Sequence, residues 1–388
     1  MADLSDTLGA VNELLDVIGQ GASDRDRERQ LPRSELDALS AAGAFAVTVP
    51  HAHGGPGGGA SAAFEVTRLL ATADPNVAQV PQSHFTYLRL VELAGSPALK
   101  DDIFASVLGG GRVANAQSER GGRTITDIST SVRVEGDSAI VDGEKFYCTG
   151  SLTADWLAVL ARDADGVDHI GFVPADAAGV TLVDDWTGMG QRTTASGTVT
   201  FDGVRLPLTH LAPRADAILG PHGYGALAQG IHAAIDAGLA RGALTEAADV
   251  VRTMSRPWFE ADVERAQDDP LLVQRFGELE VEVRAAEGAL ELAGRAVDLV
   301  DRLPTDDAAA EASLQVATAK VLADRAALSV TNALFELAGT RASDDRLNLH
   351  RHWRNARTHT LHDPVRWKLQ HLGRWVVRGE RPPRGPQL

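Results

Sequence analysis

Apolar residues recur three and four positions apart at the start of the chain, at Leu4, Leu8, Val11, Leu15 and Ile18. That spacing lays them along one stripe of a helix, and Ala-, Leu- and carboxylate-rich segments continue it, so residues 1–112 are expected to be helical. The stretch HAHGGPGGGAS at 51–61 interrupts the pattern and is expected as a flexible loop. It lacks the preceding strand and following Lys of a phosphate-binding loop.

At residue 113 the period changes from helical to alternating. TSVRVEGDSAIVDGEKFYCTG alternates apolar and polar residues and carries Gly-Asp and Asp-Gly turn signals. WLAVLARDADGVDHIGFVP and GTVTFDGVRLP repeat the pattern, so short antiparallel strands are predicted up to residue 213. Helical spacing then returns over 222–252, 271–302, 306–339 and 344–378. SRPWFEADVERAQDDP links the first two of these segments, and the Pro-rich tail RGERPPRGPQL is expected to be loose. No internal repeat is evident. Segregated runs of helices and strands imply separate domains: helical over 1–112, β-barrel-like over 113–213, and a four-helix bundle within 214–388.

Composition narrows the function more than the fold. The 388 residues can bury a large core, and 44% hydrophobic with 23% charged residues is ordinary for a globular protein. Aromatic residues make up only 5% while Gly and Ala abound, which favours closely packed helices. A net charge of −16 argues against general binding to nucleic acid or anionic membranes. The single Cys148 excludes an intrachain disulfide and a Cys-cluster metal site, and nothing beside it would activate a thiolate. No apolar run is long enough to span a membrane and no signal-peptide pattern is present, so a soluble cytoplasmic protein is expected.

Candidate chemistry concentrates in RNARTHTLHDPVRWK, residues 354–368. His359 and His362 lie three apart, on one face if the segment is helical. Imidazole can donate or accept a proton near neutral pH, but a histidine at a helix C-terminus is also favoured by the macrodipole. Asp363-Pro364 has the N-cap and N1 pattern of a new helix. His-x-x-His-Asp offers three metal ligands, yet no His-Glu-x-x-His spacing or further cluster accompanies it, and no metal is expected. A second histidine, His84 in QSHFTYLRL, has Tyr87 about one helical turn away.

The three-part order resembles the acyl-CoA dehydrogenase fold over nearly the whole chain. ANAQSERGGRTITD falls where that family has its Thr-Glu-Pro-x-Ala-Gly-Ser-Asp flavin loop, and EKFYCTGS where it has Lys-x-Trp-Ile-Thr-Asn-Gly. RNARTHTLHDPV falls on Arg-Asp-Ala-Lys-x-x-x-x-Tyr-Glu-Gly-Thr, and SRPWF keeps Arg-x-x-Phe. Two departures bear on function. The position of the family's catalytic Glu reads Asp363, between His362 and Pro364, and the adenine-contacting Gln is Phe335 in FELAG. With these features the chain resembles one branch of the family, the two-component flavin monooxygenases that include the dibenzothiophene and sulfur-acquisition monooxygenases.

The resemblance implies reduced flavin supplied by a separate reductase, a C4a-hydroperoxyflavin formed with O2, and transfer of one oxygen atom to a small apolar or heteroatom-containing substrate. FMN is expected over FAD because the adenine contact is missing. It implies that His362 faces the flavin, with His84, Tyr87, His359 and Asp363 as the other candidate catalytic residues. Asn115, Ser118, Tyr147, Thr149, Trp186 and Ser196 fall on flavin-binding positions, and Arg256 on a phosphate contact made to a neighbouring subunit. It further implies a homotetramer built through the C-terminal bundle. Two alternatives stay open: an FAD-dependent acyl-CoA dehydrogenase with Asp363 as base, and a non-catalytic flavin- or acyl-binding scaffold.

Overall fold

The computed structural model describes residues 4–124 and 126–385. Ile125, within the predicted flavin loop, and residues 386–388 of the Pro-rich tail lie outside the described residues. The described residues open with six α-helices: α1 (Leu4–Glu28), α2 (Arg33–Ala41), α3 (Gly59–Ala73), α4 (Pro75–Gln79), α5 (Gln82–Ala94) and α6 (Pro97–Leu108). Two of them start on the same local chemistry, a capping side chain followed by Pro. The Asp74 carboxylate accepts from the Asn76 N–H before α4, and the Ser96 hydroxyl accepts from the Leu99 N–H before α6. The Gly-rich segment is a tight fold-back rather than a flexible loop. Gly57 and Gly58 donate to the carbonyls of Val49 and Val47, at 2.9 and 2.8 Å. A side chain at Gly55 would sit 2.2 Å from the Val49 oxygen, which explains the glycine.

Eight strands follow: β1 (Val113–Ala116), β2 (Ser131–Glu135), β3 (Ser138–Lys145), β4 (Trp156–Arg162), β5 (Asp168–Pro174), β6 (Val180–Val183), β7 (Thr198–Pro207) and β8 (Leu211–Pro213). They form one sheet in the order β6-β7-β3-β2-β4-β5-β8, with β1 added against β4. Most pairs are antiparallel as the alternation predicts, but β1 runs parallel to β4 and β2 meets β4 in parallel at Ser131–Arg162. Strand β4 is buried on both faces. Leu157, Val159 and Ala161 enter the interior of the sheet, while Ala158 and Leu160 pack with Leu88, Ile103 and Phe104 of α5 and α6.

After the short α7 (Ala215–Leu219) come three long helices, α8 (Tyr224–Thr253), α9 (Pro270–Arg302) and α10 (Asp306–Ala338). The fourth helical segment is in two pieces, α11 (His350–His359) and α12 (Arg366–Arg378), separated by the turn that holds Leu361, His362 and Asp363. Residues of α1 and α3 share one hydrophobic core with α8, α9 and α10. Small residues allow the close approach: added Cβ atoms at Gly238 and Gly242 of α8 would lie 2.2 and 2.3 Å from the carbonyl oxygens of Arg68 and Thr72 in α3. The tail is tied down as far as it is described, because Arg381 pairs with Asp307 and Arg384 with Asp306, and Arg384 also donates to the Leu219 carbonyl at 2.8 Å. Among the described residues no helix is long and apolar enough to cross a membrane.

Candidate active site

The ends of the strands, the β6–β7 loop and the α11–α12 turn converge on a cavity of about 470 Å³. From the β domain, Asn115 and Ser118 come from the end of β1, and Tyr147 and Thr149 from the end of β3. Trp186, Gln191, Thr194 and Ser196 come from the β6–β7 loop. Gln79 of α4 and Gln82 of α5 close one side, and Thr358, His359, Leu361 and His362 the other.

Local hydrogen bonds hold the β wall in place. The Thr149 and Ser196 hydroxyls are 2.8 Å apart, and Ser196 is 2.7 Å from the Thr194 hydroxyl, which donates to the Gln191 carbonyl. The Trp186 indole N–H donates to that same carbonyl at 2.7 Å. Tyr147, Gln191 and Ala195 all adopt left-handed φ near +50°, at 55°, 51° and 51°. Non-glycine residues hold this conformation only when their surroundings enforce it, and such positions cluster at functional sites. Here the conformation turns the half-exposed Tyr147 ring edge-on to Trp186, centroids 6.0 Å apart. Beneath this wall, the fully buried Lys145 ammonium donates to Glu119 at 2.6 Å and to the Gln117 carbonyl at 3.2 Å, clamping both neighbours of Ser118. Cys148 is fully buried, and burial pushes its thiol up to about 12.

Several polar atoms on this lining are buried without a partner among the described residues: Gln79 Oε1, Asn115 Oδ1, Thr358 Oγ1 and both amide atoms of Gln191. Buried polar groups left unsatisfied are destabilising, so a partner is expected from a ligand or water. The isoalloxazine edge presents acceptors at O4 and O2, a donor at N3–H, and N5, which accepts in the oxidised ring and donates in the reduced one, and amides and hydroxyls can serve both kinds. The residues present therefore fit a flavin ring. Among the described residues no Lys or Arg lines this cavity, but the adjoining groove shares Tyr147, Trp186 and Ser196 and contains Arg120, whose guanidinium lies 3.9 Å over the Phe146 ring.

On the helical wall, His359 ends α11 and His362 follows in the turn, its N–H donating to the His359 carbonyl at 2.9 Å. Both rings meet His232 of α8, with centroids 5.2 Å from His359 and 3.8 Å from His362. His359 is buried and bonded to Asp236 at 2.5 Å, whereas the His362 side chain remains 44% exposed. Asp363 is buried behind this wall, 3.5 Å from His362 Nδ1 and 3.2 Å from the Lys368 ammonium. Burial alone would raise its carboxyl, but His362, Lys320 and Lys368 outweigh that and hold it well below the usual range.

The expectations for His84, Tyr87 and the capping role of Asp363 need correction. His84 does not reach the cavity: its Nε2–H donates to the Phe45 carbonyl at 2.8 Å, and its Nδ1 accepts the Val113 N–H at 3.1 Å. Burial pushes that imidazole down to about 4, so it is a neutral core side chain that fastens β1 to the N-terminal helices. Tyr87, one turn on, is buried edge-on to Phe172 in the core between the helices and the sheet. Asp363 does not cap α12, which begins at Arg366 after Val365 without a side-chain cap. Its carboxylate is drawn instead to Lys368. Arg256 lies in the exposed loop between α8 and α9, outside the residues lining the cavity.

Sequence reasoning missed Gln79, Gln82, Gln191, Thr194, Thr358, Leu361, Arg120 and His232. Arg120 lies within SERGG, inside a segment already singled out. Gln191 and Thr194 sit in DDWTGMGQRTTASGT beside Trp186 and Ser196. His232 is embedded in an Ala-rich helix with no local signal.

Family models for the acyl-CoA dehydrogenase N-terminal, middle and C-terminal domains match residues 11–111, 114–204 and 230–367. The chain is 31% identical over 378 residues to a dibenzothiophene monooxygenase of Rhodococcus qingshengii, covering 93% of this chain and 90% of the relative. It is 32% identical over 385 residues to a probable FMNH2-dependent monooxygenase of Pseudomonas putida, covering 97% and 95%. The crystal structure of FMN-bound TdsC from Paenibacillus sp. A11-2 superposes with a TM-score of 0.93 at 30% identity, over 98% of this chain and 100% of that one.

Proposed function

The chain belongs to the acyl-CoA dehydrogenase family, in the branch of the dibenzothiophene monooxygenases, and from that premise we propose that it is an FMN-dependent monooxygenase that oxygenates a small heteroatom-containing molecule. Reduced FMN, when bound, supplies the electrons that activate O2, so that one oxygen atom enters the substrate and the other leaves as water.

The chain's own residues bind, orient and exclude water. Gln79, Asn115, Gln191 and Thr358 offer their unpaired polar atoms to the ring edge, and Thr149 with Ser196 supplies linked hydroxyls. Tyr147 and Trp186 wall the ring, and Arg120 is the cation nearest for a phosphate. His362 presents an imidazole to the cavity, where it can hold a proton beside the reacting atoms.

One observation carries this reading over a dehydrogenase. The carboxylate at the family's base position, Asp363, does not line the cavity, and His362, Lys320 and Lys368 hold it well below the usual carboxylate range, which makes it a poor base. The imidazole of His362 faces the cavity in its place.

The assembly is proposed to be a homotetramer. Exposed Val281, Leu292 and Leu299 on α9, and Val376 and Val377 on α12, are apolar surface that a second copy would cover. Arg256 then contacts the flavin of a neighbouring subunit. The reduced flavin comes from a separate reductase, and both work in the cytoplasm.

The test offers the protein reduced FMN with isotopically labelled O2 and dibenzothiophene or indole. It separately offers butyryl-CoA with an artificial electron acceptor under argon. Labelled product in the first mixture and no turnover in the second supports the proposal. Acyl-CoA turnover that is lost in Asp363→Ala overturns it in favour of the dehydrogenase. Absence of flavin binding in either form favours the scaffold.

A further inference from the structure

Behind the cavity wall lies a buried polar chain that neither binding nor the family motifs account for. His232 and Asp236 stand one turn apart on α8, Lys320 reaches them from α10, and His359 from the end of α11. Lys320 and Asp236 are fully buried, and His232 and His359 are 1% and 3% exposed. The Lys320 ammonium donates to Asp236 Oδ2 at 2.6 Å, His359 Nδ1 is 2.5 Å from Asp236 Oδ1, and His359 Nε2 is 3.1 Å from His232 Nδ1. A buried ion pair is weak evidence for stability, since well-packed apolar residues often serve as well or better. Its presence one residue behind the cavity calls for another reason.

With His359 neutral, the donors along the chain admit one arrangement at rest. An ammonium only donates, so Asp236 accepts from Lys320 and remains a carboxylate. Its other oxygen accepts from His359, placing that proton on Nδ1. His359 Nε2 is then an acceptor, and His232 must carry its proton on Nδ1. The surrounding charges balance: Lys320, Lys368 and Arg357 face Asp236, Asp363 and Asp324. Burial lowers both rings; neighbouring positive groups add to it at His232, while at His359 the Asp236 carboxylate opposes it without reversing it, in keeping with neutral rings.

We propose that Lys320, Asp236 and His232 are positioning residues for the oxygenation reaction: they lock His359 as the Nδ1–H tautomer and make the His232 ring the platform on which His362 rests. The proposal rests on the monooxygenase reading. With both nitrogens engaged, His359 is a strut in the cavity wall and has no free nitrogen to exchange a proton with the site. That leaves His362 as the imidazole that handles the proton, its ring seated 3.8 Å from the centre of His232.

Asp236→Asn gives a distinctive signature. Lys320 can only donate, so the Asn oxygen must face it and the Asn amide must face His359, forcing His359 to the Nε2–H tautomer and inverting His232. Nitrogen-15 NMR of histidine-labelled protein without flavin reads this directly. The expected result is Nδ1–H on His359 and His232 in the wild type and inversion in Asp236→Asn. A wild-type His359 carrying its proton on Nε2 overturns the proposal.

The second readout is the partition of reduced FMN between oxygenated product and hydrogen peroxide. Asp236→Asn should lower product per flavin by at least about tenfold, as a wrong tautomer does elsewhere, while oxidised FMN binds within about twofold of wild type. Should that variant fail to fold, His232→Phe and His232→Leu decide, because neither leaves a buried charge. Phe keeps a ring under His362 and should retain coupling, and Leu should lose it. Equal coupling in His232→Leu and wild type overturns the platform. If the wild type makes no oxygenated product, the monooxygenase reading falls while the tautomer result stands by itself.

Discussion

At residue scale, the consequential pair is His362 and Asp363. The dehydrogenase relatives keep their base where this chain places a carboxylate that turns away from the cavity to meet Lys368. His362→Ala should leave FMN affinity within about threefold but cut product per reduced FMN at least tenfold, with hydrogen peroxide rising to match; roughly this size is usual for losing a proton-handling side chain. Unchanged coupling would remove His362 from its role. A pH effect follows from Glu119. Burial raises its carboxyl, yet hydrogen bonds from Lys145, Ser129 and Thr130 outweigh that and bring it from 4.5 to about 2. The group is depressed in the folded state, so its stabilisation is full above pH 4.5 and is lost as pH falls towards about 2. In Glu119→Gln the melting temperature should therefore fall less steeply across that window. The variant should also be less stable at neutral pH by about 3 kcal/mol, because the buried Lys145 loses its counter-ion. Parallel acid melts of both proteins would refute this assignment. The sequence made much of this scale legible: Asn115, Ser118, Tyr147, Thr149, Trp186, Ser196, His359 and His362 do line one cavity. It misled at His84, because a lone histidine on a helix looks the same whether it faces a cavity or a backbone carbonyl. It was silent about His232 and Gln79, whose place in or behind the wall depends on how helices distant in sequence pack.

At element scale, the period of the apolar residues located the helices and strands well, because burial on one face leaves a repeat in the sequence. It failed where geometry is set by contacts across the fold. The parallel β1–β4 pairing leaves no local trace, and the predicted helix over 344–378 is broken at Thr360–Val365. The Pro at 364 marked that break, but α12 starts only at Arg366, and the Asp363 carboxylate meets Lys368 instead of capping it. Composition did foretell closely packed helices, and α3 on α8 is such a pair. Gly238→Ala places a methyl 2.2 Å from the Arg68 carbonyl and 2.7 Å from the Ala71 Cβ. Although Ala favours a helix over Gly by about 1 kcal/mol, overpacking should win and lower stability by about 2 kcal/mol. A chemical denaturation midpoint equal to or above wild type would show that the two helices can move apart.

At the scale of the whole molecule, the site is assembled from the β domain, the N-terminal helices and the C-terminal bundle, so no separate piece of the chain carries it. The exposed apolar faces of α9 and α12 are where the proposed homotetramer would pack, and light scattering should give four times the 41.0 kDa chain mass. Arg256→Ala should weaken FMN binding only in the assembled form; equal binding by an isolated subunit would place the phosphate contact within one chain, at Arg120. The proposed activity is oxygenation of a substrate in this cavity with reduced FMN and O2. The most direct measurement follows the return of oxidised-flavin absorbance after reduced FMN, with and without the protein, is mixed with air and a sulfide or indole, and then analyses the product by mass. The protein should change the course of reoxidation, and one labelled oxygen atom from O2 should appear in the product. Reoxidation identical to that of free FMN, with no labelled product, would contradict it.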